Sequence, residues 1–155
     1  MINNDVLRSV RYMLDISDVK MVEIFKLDDY DVQKADVVAF LKKDEEEGYL
    51  ECSDEVMAHF LDGLVYAMRG KDASRPVPPK EKRMTNNIVL KKLRVAFELK
   101  DEDMHAILQT SGFPISKPEL SALFRKAGHH NYRVCGDQLL RNFLKGLTIQ
   151  LREKT

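Results

Sequence analysis

The amino-acid sequence predicts an all-α protein made of two tandem, homologous four-helix modules. Three observations lead there: an internal repeat, apolar residues at helical spacing in both copies, and a near absence of strand signals. Displacing the chain by 83 positions lays residues 3–71 over 86–154 without a gap, and 20 of the 69 pairs are identical. Unrelated sequences agree at roughly one position in fifteen, so the repeat is a duplication. Its period exceeds the 20–50 residues of solenoid repeats, which favours a duplicated compact module. The boundaries are an acidic first repeat at 1–71, a Pro-rich connector at 72–83 and a basic second repeat at 84–155. A module of this size buries little surface alone. The two copies are therefore expected to pack together with pseudo-twofold symmetry.

Each copy begins with a helix that Asn4 or Asn87 is expected to cap, since asparagine side chains satisfy free N–H groups at helix starts. Its buried stripe is Val6, Leu7, Val10 and Leu14, or Val89, Leu90, Leu93 and Phe97. Ser17 or Asp18 opens a second helix with Met21, Ile24 and Phe25 inward, matched by Met104, Ile107 and Leu108. After a turn at 27–32 or 110–115, a third helix is expected from about Gln33 to Lys43, and from Ser116 to Ala127. Gly128 suits its C-terminal cap. A link through Tyr49 or Tyr132, where a short extended piece is possible, leads to the fourth helix. That helix buries Val56, Met57, Phe60, Leu61 and Leu64, and in the second copy Leu139, Leu140, Phe143, Leu144 and Leu147. Gly63 and Gly146 lie inside it, where glycine costs about 1 kcal/mol against alanine. Their recurrence points to a close helix crossing within each module, with contact between the copies as the alternative.

Composition narrows the class. Apolar residues make up 44% and charged residues 32%, which is ordinary for a folded, water-soluble chain. The N-terminal residues lack the features of a signal peptide, and no apolar run approaches the ~20 residues of a membrane span. Two widely spaced cysteines, Cys52 and Cys135, argue against a disulfide framework and for a reducing cytoplasm. They read as small buried residues.

The pattern Leu7-Arg8-x-x-Arg11-Tyr12 … Ser17-Asp18-x-Lys20-Met21-x-Glu23-Ile24-Phe25 … Gly48-Tyr49-x-Glu51-Cys52-Ser53-Asp54 resembles the bacterial YehS-like family. So do the run Ile115–Lys126 and the closing Asn131-Tyr132-Arg133-x-Cys135-Gly136-Asp137-Gln138 … Asn142-Phe143-Leu144-Lys145-Gly146-Leu147. Members carry one domain of unknown function (1456) twice, so the resemblance implies a duplicated fold and a bacterial origin. It brings no catalytic or binding residues.

The overall charge is zero, but it is unevenly shared. Residues 1–71 hold nine Lys/Arg and sixteen Asp/Glu, whereas residues 84–155 hold twelve and seven. This asymmetry suggests either a nucleic-acid surface on the basic half or attraction between the copies. The second and third helices of copy two faintly resemble a helix-turn-helix. In that reading Lys117, Ser121 and Arg125 share an exposed face, which Lys126, His129, His130 and Arg133 extend beside Tyr132. A solvated basic face is the simpler reading, because the turn is long and copy one carries Asp44-Glu45-Glu46-Glu47 at the matching place.

His129, His130 and Cys135 have no recognised zinc spacing, and closed zinc sites need four ligands. No metal and no cofactor are expected. Asp54 and Asp137 read as helix-start residues, the glutamate run as a solvated turn, and His59 and His105 as isolated. No phosphate-cradling loop, H-E-x-x-H helix or nucleophile elbow occurs. The expectation is a non-enzymatic interaction or adaptor protein binding another protein. Nucleic-acid binding through the second repeat is the alternative; no membrane is involved, and the oligomeric state is not legible.

Overall fold

The computed structural model describes residues 1–77 and 79–153. Pro78 of the connector, and Lys154 and Thr155 at the end of the second repeat, lie outside the described residues. The chain is all-helical, and its described residues form eight helices and no strand. The chain divides into two compact units, Met1–Met84 and Thr85–Thr155. The first holds α1 (Asn3–Leu14), α2 (Asp18–Leu27), α3 (Lys34–Leu41) and α4 (Asp54–Arg69); the second holds α5 (Asn86–Ala96), α6 (Asp101–Thr110), α7 (Lys117–Leu123) and α8 (Asp137–Glu153).

Within the first unit α4 packs mainly on α2, and within the second α8 packs on α6. The inward residues expected of α2, α6 and α8 are all buried. Gly63 shows why the crossing is so close. A Cβ placed there would lie 2.0 Å from the Ile24 carbonyl oxygen, and one at Gly146 would lie 2.2 Å from that of Ile107. The glycines thus let backbone meet backbone within each module.

Asn4 and Asn87 do not cap their helices. Ile2 precedes α1, and its N–H donates to Asp5 Oδ2 at 3.1 Å; Thr85 caps α5 by accepting from the Ile88 N–H at 3.2 Å. The asparagines sit one residue inside their helices, buried, and reach across the module. Asn4 Nδ2 donates to the carbonyls of Phe40 at 3.0 Å and Leu50 at 2.9 Å, while its Oδ1 accepts from the Cys52 N–H at 2.9 Å. Asn87 repeats this with Leu123, Arg133 and Cys135 at 3.0, 2.8 and 2.8 Å. Phe40 and Leu123 lie in the last turns of α3 and α7, where carbonyls have no intrahelical donor, so each asparagine supplies what the helix end lacks. Asn3 and Asn86 add a second clasp, donating to the Cys52 and Cys135 carbonyls and to Asp54 and Asp137.

A further repeated device turns the corner between the first two helices. Asp15 and Glu98 hold left-handed backbone, φ 53° in both, a conformation that costs a non-glycine residue about 1 kcal/mol. Arg11 bridges the corner to the Ile16 carbonyl and to Asp18, and Arg94 likewise to Leu99 and Asp101.

Several expectations are corrected. The apolar stripe of α1 and α5 ends on buried Met13 and Ala96, while Leu14 and Phe97 are half-buried at the turn. Val56 is also half-buried, in the first turn of α4. The third helices are shorter than their apolar spacing suggested. Once the asparagine takes the Phe40 or Leu123 carbonyl, the chain leaves the helix, and Leu50 and Arg133 donate back to the Ala39 and Ala122 carbonyls at 3.3 and 3.0 Å. Phe124 is therefore half-buried, Ala127 exposed, and Gly128 lies in the loop rather than at a helix cap. That return is a pair of loop contacts around Tyr49 and Tyr132, and no strand is assigned there.

Gly63→Ala and Gly146→Ala force carbon into backbone, and overpacking of this kind costs about 1–3 kcal/mol or more. Urea unfolding should show that loss for either variant, whereas Gly70→Ala, at a position with open space and a positive φ that only glycine adopts readily, tests backbone strain without crowding. Equal stability of Gly63→Ala and the parent would contradict the close crossing.

Candidate interaction surfaces and a buried charge cluster

The basic residues expected to line a binding face lie on α7 and the loop after it. Lys117, Ser121, Arg125, Lys126, His129 and His130 are all exposed. They do not form one helical face, because α7 ends at Leu123 and Arg125 lies beyond the capping residue Phe124. Arg133 is half-buried and ion-paired with Glu119, so its charge is partly spent within the module. Glu119 also completes a capping box with Ser116: its N–H donates to Ser116 Oγ at 3.2 Å, and Ser116 N–H donates to its Oε1 at 3.0 Å. The Ser116 hydrogen bonds, then Arg133, hold the Glu119 carboxyl below the usual glutamate range. His129 Nδ1 accepts the Asn131 N–H at 3.0 Å, and its ring stacks on His130. A seven-residue α7 followed by an irregular loop makes a poor recognition helix.

Large apolar side chains are exposed almost wholly on the other module. Of nine such residues among those described, eight lie in Met1–Met84, including Tyr12, Val19, Leu27, Val38 and Leu50. The duplication provides a control at five of these positions. Where copy one exposes Ile2, Val19, Leu27, Val38 and Leu50, copy two has Thr85, Glu102, Thr110, Ser121 and Arg133. The acidic residues Asp44–Glu47 and Glu51 are exposed near Leu50 in sequence.

His59 is not isolated. Its Nδ1 lies 2.7 Å from Asp28 Oδ2, where a ring N–H donates to a carboxylate, and its ring stacks on Tyr30 at 4.2 Å. The connector's Lys80 enters the same place. Its ammonium lies 2.7 Å from Asp28 Oδ2 and 2.6 Å from Asp62 Oδ2. The two carboxylate side chains are only 4% and 8% exposed, against 28% for Lys80. Burial opposes the Lys80 charge, but hydrogen bonds and attraction from Asp28 and Asp62 outweigh it and raise its pKa. Copy two has Ser111, Asn142 and Lys145 at the positions of Asp28, His59 and Asp62, so this cluster belongs to module one alone. Spacing within one copy could not reveal it. A signal existed in the differences between copies, since Asp62 and Lys145 carry opposite charge at matched positions. His105 is half-buried, and among the described residues its Nε2 has no hydrogen-bond partner.

Cys52 and Cys135 are buried free thiols. Burial pushes Cys52 up to about 12, with help from Asp54 and Glu51; burial takes Cys135 to about 11, with Arg133 opposing and Asp137 adding to it. His129, His130 and Cys135 do not assemble: among the described residues no group of three or more His, Cys, Asp or Glu side chains is placed to hold a metal ion. None of the described helices is long and apolar enough to cross a membrane.

Because the thiolate is the nucleophile, both cysteines should resist iodoacetamide at pH 8 in the folded protein, reacting more than about a hundredfold slower than a free thiol. Both should alkylate quickly in denaturant. Rapid native labelling of either, followed by mass spectrometry, would contradict their burial.

The match to known proteins follows the same two-part pattern. A family described as "Protein of unknown function (DUF1456)" matches twice, at residues 3–70 and 86–153. The chain is 46% identical over 154 residues to "Uncharacterized protein YehS" of Escherichia coli (strain K12), covering 99% of each chain. No solved structure matched the chain. With the repeated asparagine clasp, the repeated helix crossing and this double match, the chain belongs to the DUF1456 family and carries its domain twice.

Proposed function

We propose that this protein is a cytoplasmic, non-enzymatic interaction protein that binds another protein through its first module. The observation that carries the reading is the set of matched positions at which copy one exposes apolar side chains and copy two exposes polar ones. Folding alone would tolerate polar residues at all of them, as the second module demonstrates. Apolar side chains kept exposed where the other copy is polar support such a contact, and the acidic residues that adjoin Leu50 in sequence favour a partner with basic groups.

The test gives module one the residues of module two: Val19→Glu, Leu27→Thr, Val38→Ser and Leu50→Arg together. Exposed substitutions usually change stability by no more than about 0.5 kcal/mol each, so the thermal melt should move by only a few degrees. Affinity capture from the native host should recover a stoichiometric partner with the parent chain and lose it with the variant. A partner retained by the folded variant would overturn the reading.

A second reading, nucleic-acid binding through module two, is favoured by the exposure of Lys117, Arg125, Lys126, His129 and His130. Phosphate binding releases counterions, so affinity would fall steeply with salt. The combined variant Lys117→Gln, Arg125→Gln and Lys126→Gln should abolish any retardation of DNA or RNA at low salt. The absence of retardation by the parent chain would remove this reading.

A further inference from the structure

We infer that the connector is a charge-locked strap, closed by Lys80 over the Asp28–His59–Asp62 cluster of the first module, and not a free linker. Proline-rich connectors are semi-rigid but ordinarily solvated along their length. Here one side chain leaves that path and places its ammonium between two carboxylates that are themselves more than nine-tenths buried. The acceptors come from two directions, Asp28 just after α2 and Asp62 within α4, and His59 on the same helix as Asp62 shares the Asp28 Oδ2 with Lys80. The stretch is held again nearby. Lys71 donates to the Leu27 carbonyl at 3.1 Å and to Asp29 at 3.4 Å.

Lys80 therefore divides the path from the end of α4 to Met84 into two short spans. Without it, Asp28 and Asp62 lose the ammonium that lies between them. Like charges brought close in a buried place repel each other and draw in water. The lock thus has two states that differ in one contact. Closed, Lys80 covers the acid pair and offsets one of its two negative charges; open, Lys80 leaves and the acid pair faces solvent on module one. The inference is independent of the partner reading, since the Lys80 contacts with Asp28 and Asp62 use none of the exposed apolar side chains.

The experiment compares the full chain with Lys80→Met and with the double variant Asp62→Asn/Lys80→Met, which keeps the His59–Asp28 pair and removes one negative charge together with the positive one. Trypsin cleavage after Lys82 and Arg83 reads the strap, and hydrogen exchange reads α2 and α4. Cleavage of a transiently opened segment tracks the population of the open form. Both variants should be cleaved at this segment about tenfold faster than the parent, while protection in α2 and α4 is unchanged in the double variant. Lys80→Arg, which keeps the charge, should restore most of the slow cleavage. Equal cleavage after Lys82 and Arg83 in parent and variants would overturn the lock. So would a loss of protection spread evenly through module one, since Lys80 would then be a general stabiliser and not a strap anchor.

Discussion

Each module depends on one buried asparagine in the first turn of its first helix. A side-chain amide is the only neutral group short enough to fit there that offers two N–H donors and a carbonyl acceptor together. Asn4 uses all three, donating to the ends of α3 and of the following loop and accepting from the backbone just before α4. Asn87 does the same in the second module. Three segments far apart in sequence, the first helix, the end of the third and the stretch just before the fourth, are thereby tied at a single residue. The groups it satisfies are backbone groups that would otherwise be buried without partners, at roughly 1–3 kcal/mol each.

That tie explains other features. It stops the third helix early, so the loop after it can turn back on Ala39 or Ala122 and carry a cysteine into the core. The fourth helix then starts at Asp54 or Asp137 and crosses the second helix at Gly63 or Gly146, close enough that only glycine fits. The duplication preserved the tie, the corner arginine and the crossing glycine, while the surfaces diverged. Module one acquired or kept exposed apolar residues and the Asp28–His59–Asp62 cluster; module two carries basic residues on the equivalent loop.

Periodicity made most of the fold legible. The helix count, the buried faces of α2, α6 and α8 and the meaning of the paired glycines follow from apolar spacing and from the repeat. The third helices were over-extended because Leu120, Leu123, Phe124 and Ala127 keep a helical rhythm that the tertiary asparagine contact overrides. The same asparagines were misplaced as caps, since their local position fits capping chemistry and the competing partners lie 36 to 48 residues away. The Lys80 cluster was illegible for the same reason: its members come from the α2 end, α4 and the connector, and no local spacing links them. The basic residues of module two were found by charge alone, which gave their exposure correctly but not the end of α7 before Arg125 or the pairing of Arg133 with Glu119.

The most direct test is equilibrium urea unfolding of Asn4→Ala and Asn87→Ala, with hydrogen exchange of the Cys52 and Cys135 amides. Each substitution removes three hydrogen bonds, two of them fully buried, and should destabilise its own module by about 3 kcal/mol. The amide of Cys52 should lose protection in the first variant and that of Cys135 in the second. A loss below about 1 kcal/mol, with both cysteine amides still protected, would contradict the account.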